Sequence, residues 1–248
     1  MRRRALVAVA AGVVAALLAS GAGARGASKL RIYAAASLTE AFQTFDAAPR
    51  YSFGGSNVLE RQIREGAPAD LFASAAPVNT QRLYRARLVG RPVTFTANSI
   101  ALIVPKSNPA GVRTVFDLKR KPVKLVIANT AVPVGAYTRA LLRKLGLLSV
   151  LSKVVSQESD VKAVTGKVAL GQADAGFVYV TDARPVRDRV TVIRLPARAQ
   201  PRIRYEIAVV SRSSNKAAAQ AWIEKLLSPA GQKALEHAGF LPLREVAR

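Results

Sequence analysis

The chain has 248 residues, no cysteine, one histidine and a formal charge of +23 at neutral pH. That length can bury a sizeable core, while the missing cysteines exclude disulfides, thiol catalysis and a lipidated N-terminus. The charge would suit a nucleic acid, an anionic surface or a small anion, but the basic residues are scattered, aromatics make up only 6%, and no zinc-finger, RNP or helix-turn-helix pattern supports nucleic-acid binding. A general bias toward Arg, Ala and Val accounts for part of the charge.

At the N-terminus, Met1-Arg2-Arg3-Arg4 precedes an uncharged apolar run over residues 5–19, and Ala22-Gly23-Ala24 offers a small-residue cleavage site. Residues 1–24 therefore read as a signal peptide, with cleavage after Ala27 as the alternative. Their removal takes three arginines and no acid, leaving +20 of the original +23. The mature chain is expected to be exported and soluble, in the periplasm or outside the cell envelope.

The first folded segment is RIYAAASLTE, residues 31–40. A short strand at Ile32 and Tyr33 passes through three alanines, and Ser37 opens a helix. Ser37-Leu38-Thr39-Glu40 fits a capping box, and small residues here would let an anion approach the positive helix end. The helix runs to about Phe45, followed by a turn at 46–50 and a strand at 51–53. Gly54-Gly55-Ser56 leads into a helix over 57–65, whose Leu59 and Ile63 share a face. Gly66-Ala67-Pro68 ends it, and residues 70–74 read as a buried strand.

Residues 99–104, SIALIV, and 203–210, IRYEIAVV, are apolar runs read as partners. Between them fall strands at 125–128, 175–179 and 190–195 and helices at 136–145 and 161–170. Helices at 216–227 and about 229–236 close the chain, with Gly239 after the last. This alternation makes an α/β protein. One lobe comprises residues 28–100 and 206–248, and the other residues 101–205. Two crossing strands join the lobes around a cleft, where small ligands bind.

Catalytic material is scarce. His237 sits at the end of the last helix, no G-x-S-x-G or HExxH is present, and FGGSN fits neither a P-loop nor a dinucleotide fingerprint. The chain is expected not to be an enzyme; a secreted hydrolase with an unconventional site is the remote alternative. Binding is better supplied. Small or hydroxyl-bearing residues mark four strand–helix junctions: Ala36-Ser37, Gly55-Ser56, Pro133-Val134-Gly135 and Ser159-Asp160-Val161. Tyr179 ends a strand with a phenol. Each also has a structural reading: helix caps for Ser37, Ser56 and Ser159, a helix-initiating proline at 133, and a core-edge ring at 179.

Taken in order, these segments resemble the substrate-binding proteins of bacterial molybdate ABC transporters. The resemblance rests on YAAASLTEAF (33–42), FGGSNVLERQIREGAPADLFASA (53–75), NSIALIVPKSNP (98–109), VPVGAYTRALLRKLG (132–146), ESDVKAVTGKVALGQADAGFVYVTDA (158–183), YEIAVV (205–210) and LLSPAGQKALEHAGFLP (226–242). It implies a type II periplasmic binding-protein fold holding molybdate or tungstate in the cleft. The protein would need no cofactor, act as a monomer and have an ABC permease as its partner. By the same resemblance Ser37 and Ser56 supply hydroxyl donors, Val134 and Val161 backbone N–H groups, and Tyr179 a phenol.

Neutral donors at helix N-termini suit a dianion that carries only acceptors. No carboxylate stands at those five positions to accept a proton, so a protonated phosphate would leave its own donor unpaired. Sulfate must be discriminated by size. Three departures stand out: Val134 where alanine is usual, Asn129-Thr130-Ala131 where an acidic segment is common, and a short stretch between Phe45 and Tyr51. Sulfate or an organic acid is the alternative ligand, although a carboxylate would favour an arginine fork and none of the five positions is arginine.

Overall fold

The computed structural model describes residues 29–243, so the signal segment lies outside the described residues. In chain order the elements are β1 (Arg31–Ala35), a 3-10 turn (Ala36–Leu38), α1 (Thr39–Phe45), β2 (Arg50–Gly54), α2 (Ser56–Arg64), β3 (Leu71–Ser74), α3 (Pro77–Arg85) and β4 (Val93–Asn98). Next come β5 (Ile100–Pro105), α4 (Asp117–Arg120), β6 (Leu125–Ala128), α5 (Pro133–Lys144), β7 (Val154–Glu158), α6 (Val161–Ala169), β8 (Ala175–Tyr179), α7 (Val180–Ala183) and β9 (Val190–Ile193). The chain finishes with β10 (Ile203–Val209), α8 (Lys216–Leu227) and α9 (Pro229–His237).

Two five-stranded sheets result, ordered β2-β1-β3-β10-β4 and β7-β6-β8-β5-β9. In the first, β1 lies parallel to β2 and β3; in the second, β6 lies parallel to β7 and β8. β3, β5, β6 and β8 are buried along their whole length, which explains their unbroken apolar sequences: helices cover both faces.

One pairing differs from the sequence reading. The run around 100–105 does not pair with 203–209. β5 lies between β8 and β9, whereas β10 lies between β3 and β4. Residues 203–205 thus belong to the first sheet, where the sequence reading assigned the second lobe. The two runs do mark the crossings, because Asn98 ends β4 in one sheet and Ile100 begins β5 in the other. The crossings are tied at Gln200, whose side-chain amide accepts from the Ile100 N–H at 2.9 Å and donates to its carbonyl at 2.7 Å.

The capping box also gives way. No side chain caps α1; the Ser37 hydroxyl instead meets the Tyr205 phenol at 2.8 Å. A buried tertiary partner has displaced the local one. Similarly, Gly55 rather than Ser56 occupies the N-cap position of α2, and Asp160 rather than Ser159 caps α6. The conspicuous Asp70 of the GAPAD segment is structural. Wholly buried, its carboxylate accepts from the Arg31 N–H at 2.8 Å, the Ser213 hydroxyl at 2.6 Å and the Asn215 amide at 3.2 Å.

Candidate anion-binding site

The strand orders place two topological switch points side by side. Successive parallel connections leave β1 toward β2 and then β3, and leave β6 toward β7 and then β8. Ligands of open α/β sheets bind outside the C-terminal strand ends at such reversals. All five residues singled out in the sequence lie there. Ser37 follows β1, Ser56 follows β2, Val134 follows β6, Val161 follows β7 and Tyr179 ends β8.

The structure brings the five together around one small cavity between the sheets. About 10 Å³ of it is open to the centre of a water-sized sphere, equivalent to a single sphere of free radius about 2.7 Å. That is room for a compact ion of a few atoms. It cannot hold a sugar or an amino acid without the walls moving. A larger hollow of about 570 Å³ lies on the other side of Ser37, but its walls are largely apolar.

Donors dominate the small cavity. α5 begins with Pro133 and has no side-chain cap, so its first-turn N–H groups, that of Val134 included, face outward unbonded by any cap. On α6 the Asp160 carboxylate accepts from the Ala163 N–H at 3.0 Å and from the Ser159 hydroxyl at 3.5 Å, leaving the Val161 N–H at the helix mouth. α2 likewise has no side-chain cap. Ser56 Oγ accepts the Ala75 N–H at 3.1 Å, which leaves its own proton to donate.

Tyr179 is the most telling residue. Its side chain is 1% exposed, and its hydroxyl has no hydrogen-bond partner. Burying such a group unpaired costs about 1–3 kcal/mol. Burial chiefly, with the nearby Tyr205 phenol next, pushes its pKa well above the ordinary tyrosine value. The group is therefore a neutral donor at any physiological pH.

Asp160 was missed as a wall residue: it lines the cavity, and the sequence reading gave the cap of α6 to Ser159 instead. Asp182, just beyond Tyr179, was missed altogether. It is fully buried, neither carboxylate oxygen is hydrogen-bonded, and Lys162 Nζ stands 3.4 Å from Oδ1. Burial raises its pKa to about 7, with Lys162 opposing the shift and Glu40 adding to it. Between about pH 4 and 7 the folded chain thus holds a proton that the unfolded chain releases, so this group lowers stability as pH rises, by up to about 1.4 kcal/mol per unit. Below that window the carboxyl is protonated in both states, and above it the loss levels off. Asp182→Asn is expected to melt progressively higher than wild type from pH 4 to 7 and to keep that lead at pH 8. Parallel melting profiles would remove Asp182 as the cause.

Lys162 also reaches across the interface, meeting the Glu40 carboxylate on α1 at 2.6 and 2.7 Å. It immediately follows Val161, so an ion pair between the lobes sits beside the cavity. Among the described residues, no group of three or more metal-ligating side chains is present and no helix is long and apolar enough to cross a membrane.

Comparison with known proteins agrees with this architecture. A family model described as bacterial extracellular solute-binding protein matches residues 30–241. The molybdate-binding protein ModA of Mycobacterium tuberculosis strain H37Rv is 35% identical over 226 residues, covering 87% of this chain and 85% of its own. Among solved structures, the periplasmic molybdate-binding protein of Azotobacter vinelandii superposes with a TM-score of 0.77 at 20% identity, over 86% of this chain and 99% of its own. The sulfate-binding protein SubI of M. tuberculosis H37Rv gives 0.75 at 19% identity, over 88% and 89%. These two likenesses concern the fold alone.

Proposed function

The chain belongs to the bacterial extracellular solute-binding protein family, and from that premise we propose that it captures molybdate, with tungstate as a second cargo, for import by an ABC permease. Its fold is that of the type II periplasmic binding proteins, two α/β lobes joined by crossing strands. We place the mature protein in the periplasm or outside the envelope, as a monomer without cofactor and without catalytic activity; the relatives it matches are named as molybdate-binding proteins, that of A. vinelandii as periplasmic. Ser37, Ser56, Val134, Val161 and Tyr179 are the proposed ligands.

The observation that carries this reading is the buried, unpartnered Tyr179 hydroxyl in a cavity that Ser37, Ser56 and the uncapped start of α5 also line. A group kept at that cost in a space the size of a small ion needs an acceptor, and a tetrahedral oxyanion supplies one. Two lobes contribute donors, so the ion bridges them and stabilises their closed arrangement. The sulfate reading shares the same chemistry, since sulfate is also a tetrahedral dianion that carries only acceptors.

Calorimetry with molybdate, tungstate, sulfate and phosphate tests the assignment, with Tyr179→Phe as the matched variant. Molybdate is expected to bind more tightly than sulfate, and phosphate to bind least. Tyr179→Phe should weaken molybdate binding about 10- to 100-fold, the worth of one hydrogen bond to a charged group. Its ligand-free melting temperature should not fall, because the variant removes a buried orphan. An unchanged dissociation constant would take Tyr179 out of the site, and preference for sulfate would exchange the cargo.

A further inference from the structure

A serine hydroxyl carries one proton and two lone pairs, so it can either donate to a ligand or accept from one. At Ser37 a chain of buried groups removes that choice. Asn98 Oδ1 accepts the Ser99 N–H at 2.8 Å, which fixes the orientation of the amide. Asn98 Nδ2 then donates to Thr181 Oγ1 at 2.9 Å and to the Tyr205 hydroxyl at 3.4 Å. The Tyr205 oxygen accepts from Asn98, and Ser37 Oγ, 2.8 Å away, is the hydrogen-bonded neighbour placed to take the phenol proton.

We propose that Tyr205, set by Asn98, is a positioning residue that locks Ser37 as an obligate donor toward the oxyanion, and so helps the site reject oxyanions that carry a proton. The proposal rests on the oxyanion reading of the cavity. Ser37 Oγ already accepts from the phenol, so its own proton is the one turned to the ligand. Ser56 is locked in the same sense by the Ala75 N–H. A hydrogen phosphate ion would then bring its O–H to two hydroxyls that each have one lone pair already used and a proton turned toward the ligand.

The parts of the relay are rigidly held. Tyr205 is wholly buried, with its ring edge-on to Phe240, Tyr179 and Phe95 at centroid distances of 5.4, 5.8 and 6.2 Å. Asn98 and Ser37 are each 3% exposed. Asn98 ends β4 at one crossing, and Tyr205 lies just beyond the start of β10 after the other. The orientation of a first-lobe ligand is therefore set from the joint between the lobes. Burial keeps the Tyr205 phenol protonated far above its ordinary range, so the relay holds its direction throughout physiological pH.

The test is a double-mutant cycle on the full mature protein, read by calorimetry with molybdate and by phosphate competition. Tyr205→Phe is expected to weaken molybdate binding about three- to tenfold, and to have no further effect when Ser37 is already alanine. Phosphate should compete at a smaller excess over molybdate in Tyr205→Phe than in wild type, because Ser37 Oγ is then free to accept a proton. A merely structural loss would weaken both ions alike and would persist in Ser37→Ala. Equal losses in the two backgrounds, an unchanged molybdate constant, or unchanged phosphate discrimination would each overturn the relay. Wild type that binds none of the oxyanions would instead overturn the cavity reading. Melting curves without ligand check that each variant is folded.

Discussion

Gly55→Ala is expected to weaken molybdate binding about a hundredfold and to leave the ligand-free melting temperature within about 2 °C of wild type. Gly55 has φ −61° and ψ 130°, backbone angles that alanine adopts freely. What forbids a side chain is the opposite lobe: a Cβ there would lie 2.5 Å from the Ser159 carbonyl oxygen. The other near atom, Asn57 Oδ1 at 2.9 Å, ends a side chain that can turn away. Relieving the carbonyl clash requires the lobes to part by about 1 Å, enough to stretch the Val134 and Val161 N–H groups out of hydrogen-bonding range of an ion held by Ser37 and Ser56. Neither lobe is disturbed internally, so folding is spared and closure is not. Calorimetry and ligand-dependent melting read the two effects separately. A variant that binds molybdate with the wild-type constant would show that the lobes need not approach this closely.

The junctions were legible in the sequence because small residues, hydroxyls and proline punctuate strand-to-helix turns locally. Pro133 does open α5, and the phenol of Tyr179 does end β8. Convergence of the five residues was not legible from spacing. It came from the family resemblance, since it depends on two sheets each turning a switch point toward the other. What stayed hidden was long-range. Ser37-Leu38-Thr39-Glu40 spells a local cap, yet the hydroxyl bonds a phenol 168 residues away. Likewise the apolar run at 203–210 matches any strand of similar character, and its place between β3 and β4 is set by packing. α3 and β4 drew no reading at all, because polar residues on both interrupt the apolar period: Asn79 and Thr80 on one, Thr94 and Thr96 on the other. Three of these, Asn79, Thr80 and Thr96, are buried and hydrogen-bonded, so satisfied polar groups do the work that apolar side chains usually announce.

Gly135→Ala should show the opposite pattern from Gly55→Ala, destabilising the ligand-free protein by about 3 kcal/mol and lowering its melting temperature by about 6–12 °C. A Cβ at this position would stand 2.0 Å from the Asn129 carbonyl oxygen and 2.5 Å from that of Ala128. Both obstacles are backbone of the same lobe, at the end of β6, and the Val132 N–H is bonded to the same Asn129 oxygen at 3.1 Å. Neither side can yield without lifting the first turn of α5 from the sheet. That turn aims the Val134 N–H, so the displacement also weakens oxyanion binding. Here, however, the loss of affinity follows the loss of stability. The two glycines thus separate what the site requires: Gly135 lets a helix end press against its own sheet, and Gly55 lets one lobe press against the other. A Gly135→Ala protein with the wild-type melting temperature would mean that the β6–α5 turn can relax around a methyl group, and the close packing at Asn129 would then not be what holds the second-lobe donor in place.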